Sequence, residues 1–356
     1  LVPAPAAAAP PRAPPAETAS SYADADERAW RSPKFWAAAH AELALADDPR
    51  LARVRAFCER LRTAPRGERV TLPSGQELLS QHRFPFGDAD ERSRVARPAF
   101  APGSAAAGWL ATLPATARVA RAELDALLAA EPPHADHASA RVRPDAATDF
   151  RSSWNRMAWT GSQFAPLRSA RDAMSATIAA LEAADVPCGP RYVGVSRQAP
   201  SSRGDAHSDH RNYLLSVLTP LVVPPPRAPP RDDGGDNGDS GDGGETARAG
   251  RCGIVAAGED VVFEEFAPVV LDNTFRHQVY NDSPTHARYV LLAEVWHPSL
   301  TPAERRAMST LFAMKDLFVA LELKCPPFGF SDTALEEAVE SGDCLRLDFW
   351  RELGAT

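Results

Sequence analysis

Between Pro187 and Pro298 the chain breaks into short runs rich in valine, leucine and tyrosine: RYVGVSR, NYLLSVLTPLVV, CGIVAAG, DVVFEEF, PVVLDN, HQVYND and RYVLLAEVWH. Turn-forming residues separate them. β-branched and aromatic residues in runs of this length, bounded by turns, mark strands. A lone strand has nothing to pair with or bury against. Several in succession must pack as a sandwich or barrel, the jelly-roll class included. This stretch predicts a mainly β core.

The flanks carry other patterns. Residues 1–24 begin LVPAPAAAAPPRAPPAE, show no hydrophobic period and read as a disordered Ala/Pro-rich segment. Residues 25–149 are mostly helical in pattern. In DPRLARVRAFCERLRTAP, Leu51, Val54, Phe57 and Leu61 recur every three or four residues and make one apolar face. Ser32 before Pro33 is a helix start. Short strands are expected around RVTLP and QELLSQHRF. Helices are expected in ATARVARAELDALLAAE and, after a loop, in SQFAPLRSARDAMSATIAALEAA. Beyond the β region, TPAERRAMSTLFAMKDLFVALEL offers Thr301 as N-cap, Pro302 at the first helical position and Glu304 three residues on. With a further helix in DTALEEAVESG, residues 308–356 read as a helical C-terminal extension. The whole is α+β.

Residues 224–250, PPPRAPPRDDGGDNGDSGDGGETARAG, interrupt the β region. They cannot bury a core and read as a low-complexity surface loop. The acidic centre lacks the alternating ligand order and closing glutamate of an EF-hand, so a solvated loop is favoured over calcium binding. The net charge is -8 and no basic stretch is concentrated, which argues against nucleic acid. The five cysteines are scattered with no C-x-x-C pair, against a disulfide framework or structural zinc, though one disulfide is compatible. No apolar run is long enough for a membrane span. The chain starts at Leu1 rather than Met, which leaves open an upstream signal or anchor.

His207-Ser208-Asp209 precedes a run that reads as a buried strand, NYLLSVLTPLVV. In an extended segment residues two apart share a face, so imidazole and carboxylate would be presented together. A histidine from another strand would complete two histidines and one carboxylate. That set holds Fe(II) on one face and leaves positions open for oxygen and a co-substrate. His277 follows PVVLD between predicted strands and is the best third ligand; His286 lies in a turn-like stretch and His297 at a strand end. The chain contains its own control. His134-Ala135-Asp136 follows two prolines, has no strand after it and reads as a surface loop. A polar loop is also the plain alternative for His207-Ser208-Asp209.

RYVGVSRQAP, HSDHRN, VLDNTFRHQVYND and RYVLLAEVWHPSLTPAERR together resemble the aspartyl/asparaginyl β-hydroxylase family over residues 150–307. The resemblance implies a double-stranded β-helix (jelly-roll, cupin-like) core. It implies an Fe(II)- and 2-oxoglutarate-dependent dioxygenase that uses O2 and releases succinate and CO2. The family's iron-binding histidines fall on His207 and His277. Animal members carry glycine where this chain has Asp209, so a full triad of His207, Asp209 and His277 is expected here. Arg288 and Ser196 match the positions that hold the distal carboxylate of 2-oxoglutarate, as a guanidinium and a hydroxyl suit. Asn212 also matches and is grouped with the cofactor site as a brace behind the metal, turn capping being its alternative. Two positions depart: Ser216 and Leu218 stand where the animal enzymes have an arginine and a histidine, which leaves the co-substrate pose open.

By resemblance the substrate is a protein or peptide side chain, Asp or Asn at the β-carbon, with lipid or small-molecule substrates as alternatives. The family analogy points to the ER lumen or a membrane-anchored secretory setting, with the cytoplasm as the alternative. The rival reading is a non-catalytic cupin-like module for metal binding or interaction. A hydrolase or epimerase on the same barrel is a third.

Overall fold

A computed structural model describes residues 25, 27–43, 48–86, 105–130, 174–225 and 250–323. The expected disordered segment 1–24, the His134-Ala135-Asp136 loop, most of the 224–250 insertion and the helix expected in DTALEEAVESG lie outside the described residues. The helices are α1 (Pro33–Leu43), α2 (Ala52–Thr63), α3 (Ala105–Ala130), α4 (Ser175–Ala183) and α5 (Pro302–Leu317). The strands are β1 (Arg69–Thr71), β2 (Glu77–Leu79), β3 (Cys188–Gln198), β4 (Ser202–Arg203), β5 (Leu214–Val222), β6 (Cys252–Ala256), β7 (Glu259–Val262), β8 (Val269–Leu271), β9 (His277–Asn281) and β10 (Arg288–Trp296).

β1 and β2 form a hairpin. The other strands make two four-stranded antiparallel sheets, ordered β3-β10-β5-β8 and β4-β9-β6-β7. The chain is therefore α+β with a β-rich core, as the residue patterns predict. The larger sheet is apolar on both faces, and the strand period of two assigns each residue to a layer. Leu218 and Val290 pack with Cys252, Ile254 and Ala256 of the smaller sheet and with Phe263, between the sheets. Leu215, Val217, Leu221, Tyr289, Leu291, Ala293 and Val295 face the other way, onto α3 and α4. Pro220 is tolerated within β5 because it sits at a bulge, where the register against Tyr289 and Val290 shifts.

The third core is aromatic. Trp30, Phe35, Trp36, Phe57, Phe84, Tyr213, Trp296 and Phe312 draw the N-terminal helices and α5 onto one end of the large sheet. Ser32 accepts from Phe35 N at 3.3 Å, as a helix start should. Thr301 and Glu304 form the expected capping box at α5. Glu304 also receives Arg53 through two bonds of 2.8 and 2.7 Å, which ties α2 to α5.

α3 begins before the expected start and carries Pro114 inside it. An interior proline removes one helical hydrogen bond. Trp109 and Leu113, on the turns before it, are buried against the large sheet, and that burial offsets the loss. Cys58, Cys188 and Cys252 are free thiols. Burial pushes each thiol up, Cys58 and Cys188 to about 12 and Cys252 to about 11. Cys325 and Cys344 lie outside the described residues. Among the described residues no helix is long and apolar enough to cross a membrane.

Gly253 on β6 allows a close approach. A Cβ there would meet the Val261 carbonyl and lie 2.7 Å from the Tyr280 hydroxyl. The Tyr280 ring crosses this space so that its hydroxyl donates to Asp260 at 2.8 Å. Gly253→Ala is expected to lower stability by about 1–3 kcal/mol, because backbone must shift to admit the methyl group. A thermal melt unchanged from wild type would contradict this packing.

Candidate functional site

His207 does not lie on a regular strand. It forms an isolated antiparallel bridge with His277, the first residue of β9. His207 N donates to His277 O at 3.0 Å, and His277 N donates to His207 O at 2.8 Å. Ser208 and Asp209 lie in a loop rather than in a regular strand, and His210 after them takes φ of 62°. The bridge pairs His207 with His277, which alternation within one segment could not do. It sets the two imidazoles side by side, centroids 4.5 Å apart.

Asp209 joins them from the same loop. Its backbone N–H donates to Asn273 O at 2.8 Å. Its Oδ1 stands 3.8 Å from His207 Nε2. The loop thus brings His207 and Asp209, neighbours in sequence, into the vicinity of His277 from a distant part of the chain.

The ring nitrogens are ordered. His207 Nδ1 lies 2.7 Å from Asp205 O, and His277 Nδ1 lies 2.9 Å from Phe275 O. A carbonyl only accepts, so each Nδ1 carries the proton and each Nε2 presents a lone pair. That is the tautomer a metal needs, held by the kind of backbone contact that orients metal-binding histidines. Burial holds His277 below the ordinary imidazole range, which favours the neutral, ligating form.

Among the described residues no group of three or more His, Cys, Asp or Glu side chains is placed so that it could hold a metal ion as it stands. Adjacent donors around a cation with bonds of about 2.1 Å stand roughly 3 Å apart. His207 and Asp209 stand 3.8 Å apart, wider than that, and these side chains are 54% and 24% exposed. The donor set of two neutral imidazoles and a carboxylate fits a divalent iron, zinc or manganese ion.

Arg288 opens β10 and is buried between the sheets. Its Nε donates to Gln198 Oε1 at 2.7 Å, and its guanidinium lies 5.3 Å from the centre of the Phe263 ring. Its Nη1 has no hydrogen-bond partner among the described residues. Burial pulls the guanidinium down to about 10. A buried cation with an unfilled donor is costly unless an anion completes it. Ser196 lies on the paired strand opposite Val290, two residues before Gln198, and so shares the Arg288 face.

Asn212 is engaged elsewhere. Its Oδ1 accepts from Phe84 N at 2.7 Å, and its Nδ2 donates to Phe84 O at 2.9 Å. This two-point contact ties the loop behind His207 to the N-terminal segment. Ser216 and Leu218 both face the intersheet space; Asn273 Nδ2 donates to Ser216 Oγ at 3.2 Å. His286 is exposed in the turn before β10. His297 stacks on Phe86 with centroids 4.7 Å apart, past the end of β10.

Sequence reasoning missed three supports. Gln198 orients Arg288, and its position two residues beyond Ser196 was the available signal. Ser208, the middle residue of His-x-Asp, has its hydroxyl 3.0 Å from Glu77 O and 2.9 Å from Thr274 O. Asp272-x-Thr274, a turn-forming pattern just upstream of His277, closes on itself: Thr274 N and Oγ1 both donate to Asp272 Oδ1, at 3.0 and 2.5 Å.

Comparison with known proteins identifies the family. The profile of one family, Aspartyl/Asparaginyl beta-hydroxylase, matches residues 115–298, just over half of the chain. The human protein named Aspartyl/asparaginyl beta-hydroxylase is 35% identical over 60 residues, which cover 17% of this chain and 8% of that protein. Aspartate beta-hydroxylase domain-containing protein 2 of Xenopus tropicalis is 29% identical over 104 residues, covering 29% of this chain and 27% of that protein. Aspartate beta-hydroxylase domain-containing protein 1 of the mouse is 36% identical over 64 residues, covering 17% and 18%. In each case the match spans well under two thirds of the relative's length.

Proposed function

The chain belongs to the aspartyl/asparaginyl β-hydroxylase family, and from that premise we propose that it is an Fe(II)- and 2-oxoglutarate-dependent dioxygenase. We read the paired antiparallel sheets as the double-stranded β-helix of such enzymes. The observation that carries the proposal is Arg288, a buried arginine with an unfilled donor in the space between the sheets. Such a residue calls for a buried anion, and the distal carboxylate of 2-oxoglutarate is one of suitable shape.

In this reading His207, Asp209 and His277 hold the metal. Arg288 receives the distal carboxylate, Ser196 on the same face adds a hydroxyl, and Gln198 fixes the guanidinium plane. When bound, iron and 2-oxoglutarate supply the oxidising power for hydroxylating a C–H bond, with succinate and CO2 as co-products. The protein's own work is orientation and exclusion of water. His277 and Arg288 are buried, whereas His207 is half exposed, so the metal position faces solvent on the His207 side. A side chain of a protein or peptide would approach from there. The family names point to the β-carbon of Asp or Asn in such a substrate.

The test is succinate formation from 2-oxoglutarate by purified protein with Fe(II) under air. Iron-dependent succinate above a metal-free blank is the expected result, even with no prime substrate present. Absence of succinate, together with no anaerobic binding of Fe(II) or 2-oxoglutarate, would leave the cupin-like scaffold as the better reading.

A further inference from the structure

The β1–β2 hairpin precedes the family-matched region, yet it bonds to both loops that carry the metal-ligand candidates. The hairpin turns at Gly75, where φ is 89°, and Gln76 follows it into the interior, 2% exposed. Gln76 fills all of its amide capacity but one acceptor lone pair. Its Nε2 donates to Asp272 Oδ2 at 2.8 Å and to Thr274 Oγ1 at 2.9 Å, and its Oε1 accepts from Ser74 at 2.9 Å. The next residue continues the attachment: Glu77 N donates to Thr274 O at 2.8 Å. Across the hairpin's other contact, Leu79 N donates to His210 O at 3.2 Å, and Ser208 Oγ reaches Glu77 O. One strand therefore grips the His207–His210 loop and the Asp272–Thr274 turn at once.

We infer that Gln76 is a positioning residue for the metal centre, acting through the Asp272–Thr274 turn that delivers His277. This rests on the metal reading proposed above. Among the described residues, other outside donors reach only the carbonyls of the turn, from Glu77 N, Ser208 Oγ and Asp209 N, and Asp272 Oδ1 is filled by Thr274. Gln76 supplies the donor for the second carboxylate oxygen and a donor to the Thr274 hydroxyl, so it ties the side chains of the turn to the hairpin. Both groups are buried, and an unmet bond there is not replaced by water. Loss of the anchor lets the turn relax, and His277 begins three residues after Thr274. A decorative hairpin would not need a buried amide directed at this turn.

The test is Mn(II) affinity of the apoprotein, with the visible spectrum of the Co(II) form as a second readout. Gln76→Ala removes the anchor; Gln76→Glu keeps the volume but puts an acceptor where Asp272 needs a donor. Thr301→Ala serves as the control for general destabilisation, since it breaks the α5 cap away from the site. Both Gln76 variants are expected to lose roughly 10–100-fold in Mn(II) affinity, the range for outer-shell partners of metal ligands, and to alter the Co(II) bands. Thr301→Ala is expected to lower the melting temperature and change neither readout. Folded Gln76 variants with wild-type affinity and spectrum would overturn the inference and leave the dioxygenase reading standing. Failure of both variants to fold would make Gln76 a stability residue and overturn it too. A wild-type protein that binds no Mn(II) would remove the dioxygenase reading and this inference together.

Discussion

Arg288→Met is expected to weaken 2-oxoglutarate binding by about 100-fold or more while leaving the protein at least as stable as wild type. Both halves follow from the same fact. The guanidinium is 1% exposed, makes one side-chain bond to Gln198 and leaves Nη1 unfilled. Burial pulls its pKa down to about 10. The fold therefore disfavours the cation as long as no anion joins it. Methionine fills similar volume with a flexible apolar chain and removes that penalty, so no loss in melting temperature is expected. It also removes the charged fork. Charge-assisted hydrogen bonds contribute about 1.5–3 kcal/mol each, so losing two weakens 2-oxoglutarate binding by about 100-fold or more. Calorimetry of anaerobic 2-oxoglutarate binding and a thermal melt check the two halves on one sample. Undiminished affinity in the variant would show that the co-substrate does not use Arg288.

His277→Ala is expected to reduce Fe(II) affinity by at least about 100-fold, beyond the range of outer-shell changes, and to bring succinate formation to the metal-free background. The His207–His277 bridge is made by backbone atoms. It survives the substitution, so the variant should fold, having lost one imidazole and its bond to Phe275 O. There is a pH signature as well. Burial holds the His277 pKa below its unfolded value of 6.5. The folded apoprotein therefore binds fewer protons than the unfolded chain as pH falls through that region, and stability is lost. His277→Ala lacks this loss. The difference in melting temperature between wild type and variant should narrow as pH is lowered from 7.5 to 5.5. A constant difference across that range would mean that His277 titrates as an exposed imidazole does.

Much of the fold was legible because its signals are local. Every expected run after Pro187 contains a strand, since β-branched and aromatic residues between turns state their preference within a few residues. The α5 start could be read to the residue because a capping box spans only Thr301 to Glu304. The start of α3 could not. Pro114 is a local stop signal, and it is overridden by Trp109 and Leu113 burying on a sheet contributed by distant sequence.

The candidate site divides in the same way. The residue types that can hold a metal and a carboxylate, His207, Asp209, His277 and Arg288, were readable from the chain. Their mode of assembly was not. Spacing offered His207 and Asp209 as a pair, but the bridge that sets His207 beside His277 forms in a loop pinned by contacts to distant residues. Nor could sequence link Gln198 to Arg288, 90 positions away, or Gln76 to Asp272, 196 positions away. By itself the sequence determined which segments are strands, which side chains are chemically able to serve, and where α5 begins. These are choices made by each residue and its nearest neighbours. Only the tertiary structure decided which of those side chains meet. Strand register follows from burying the whole intersheet core, and every residue in both sheets contributes to that one outcome.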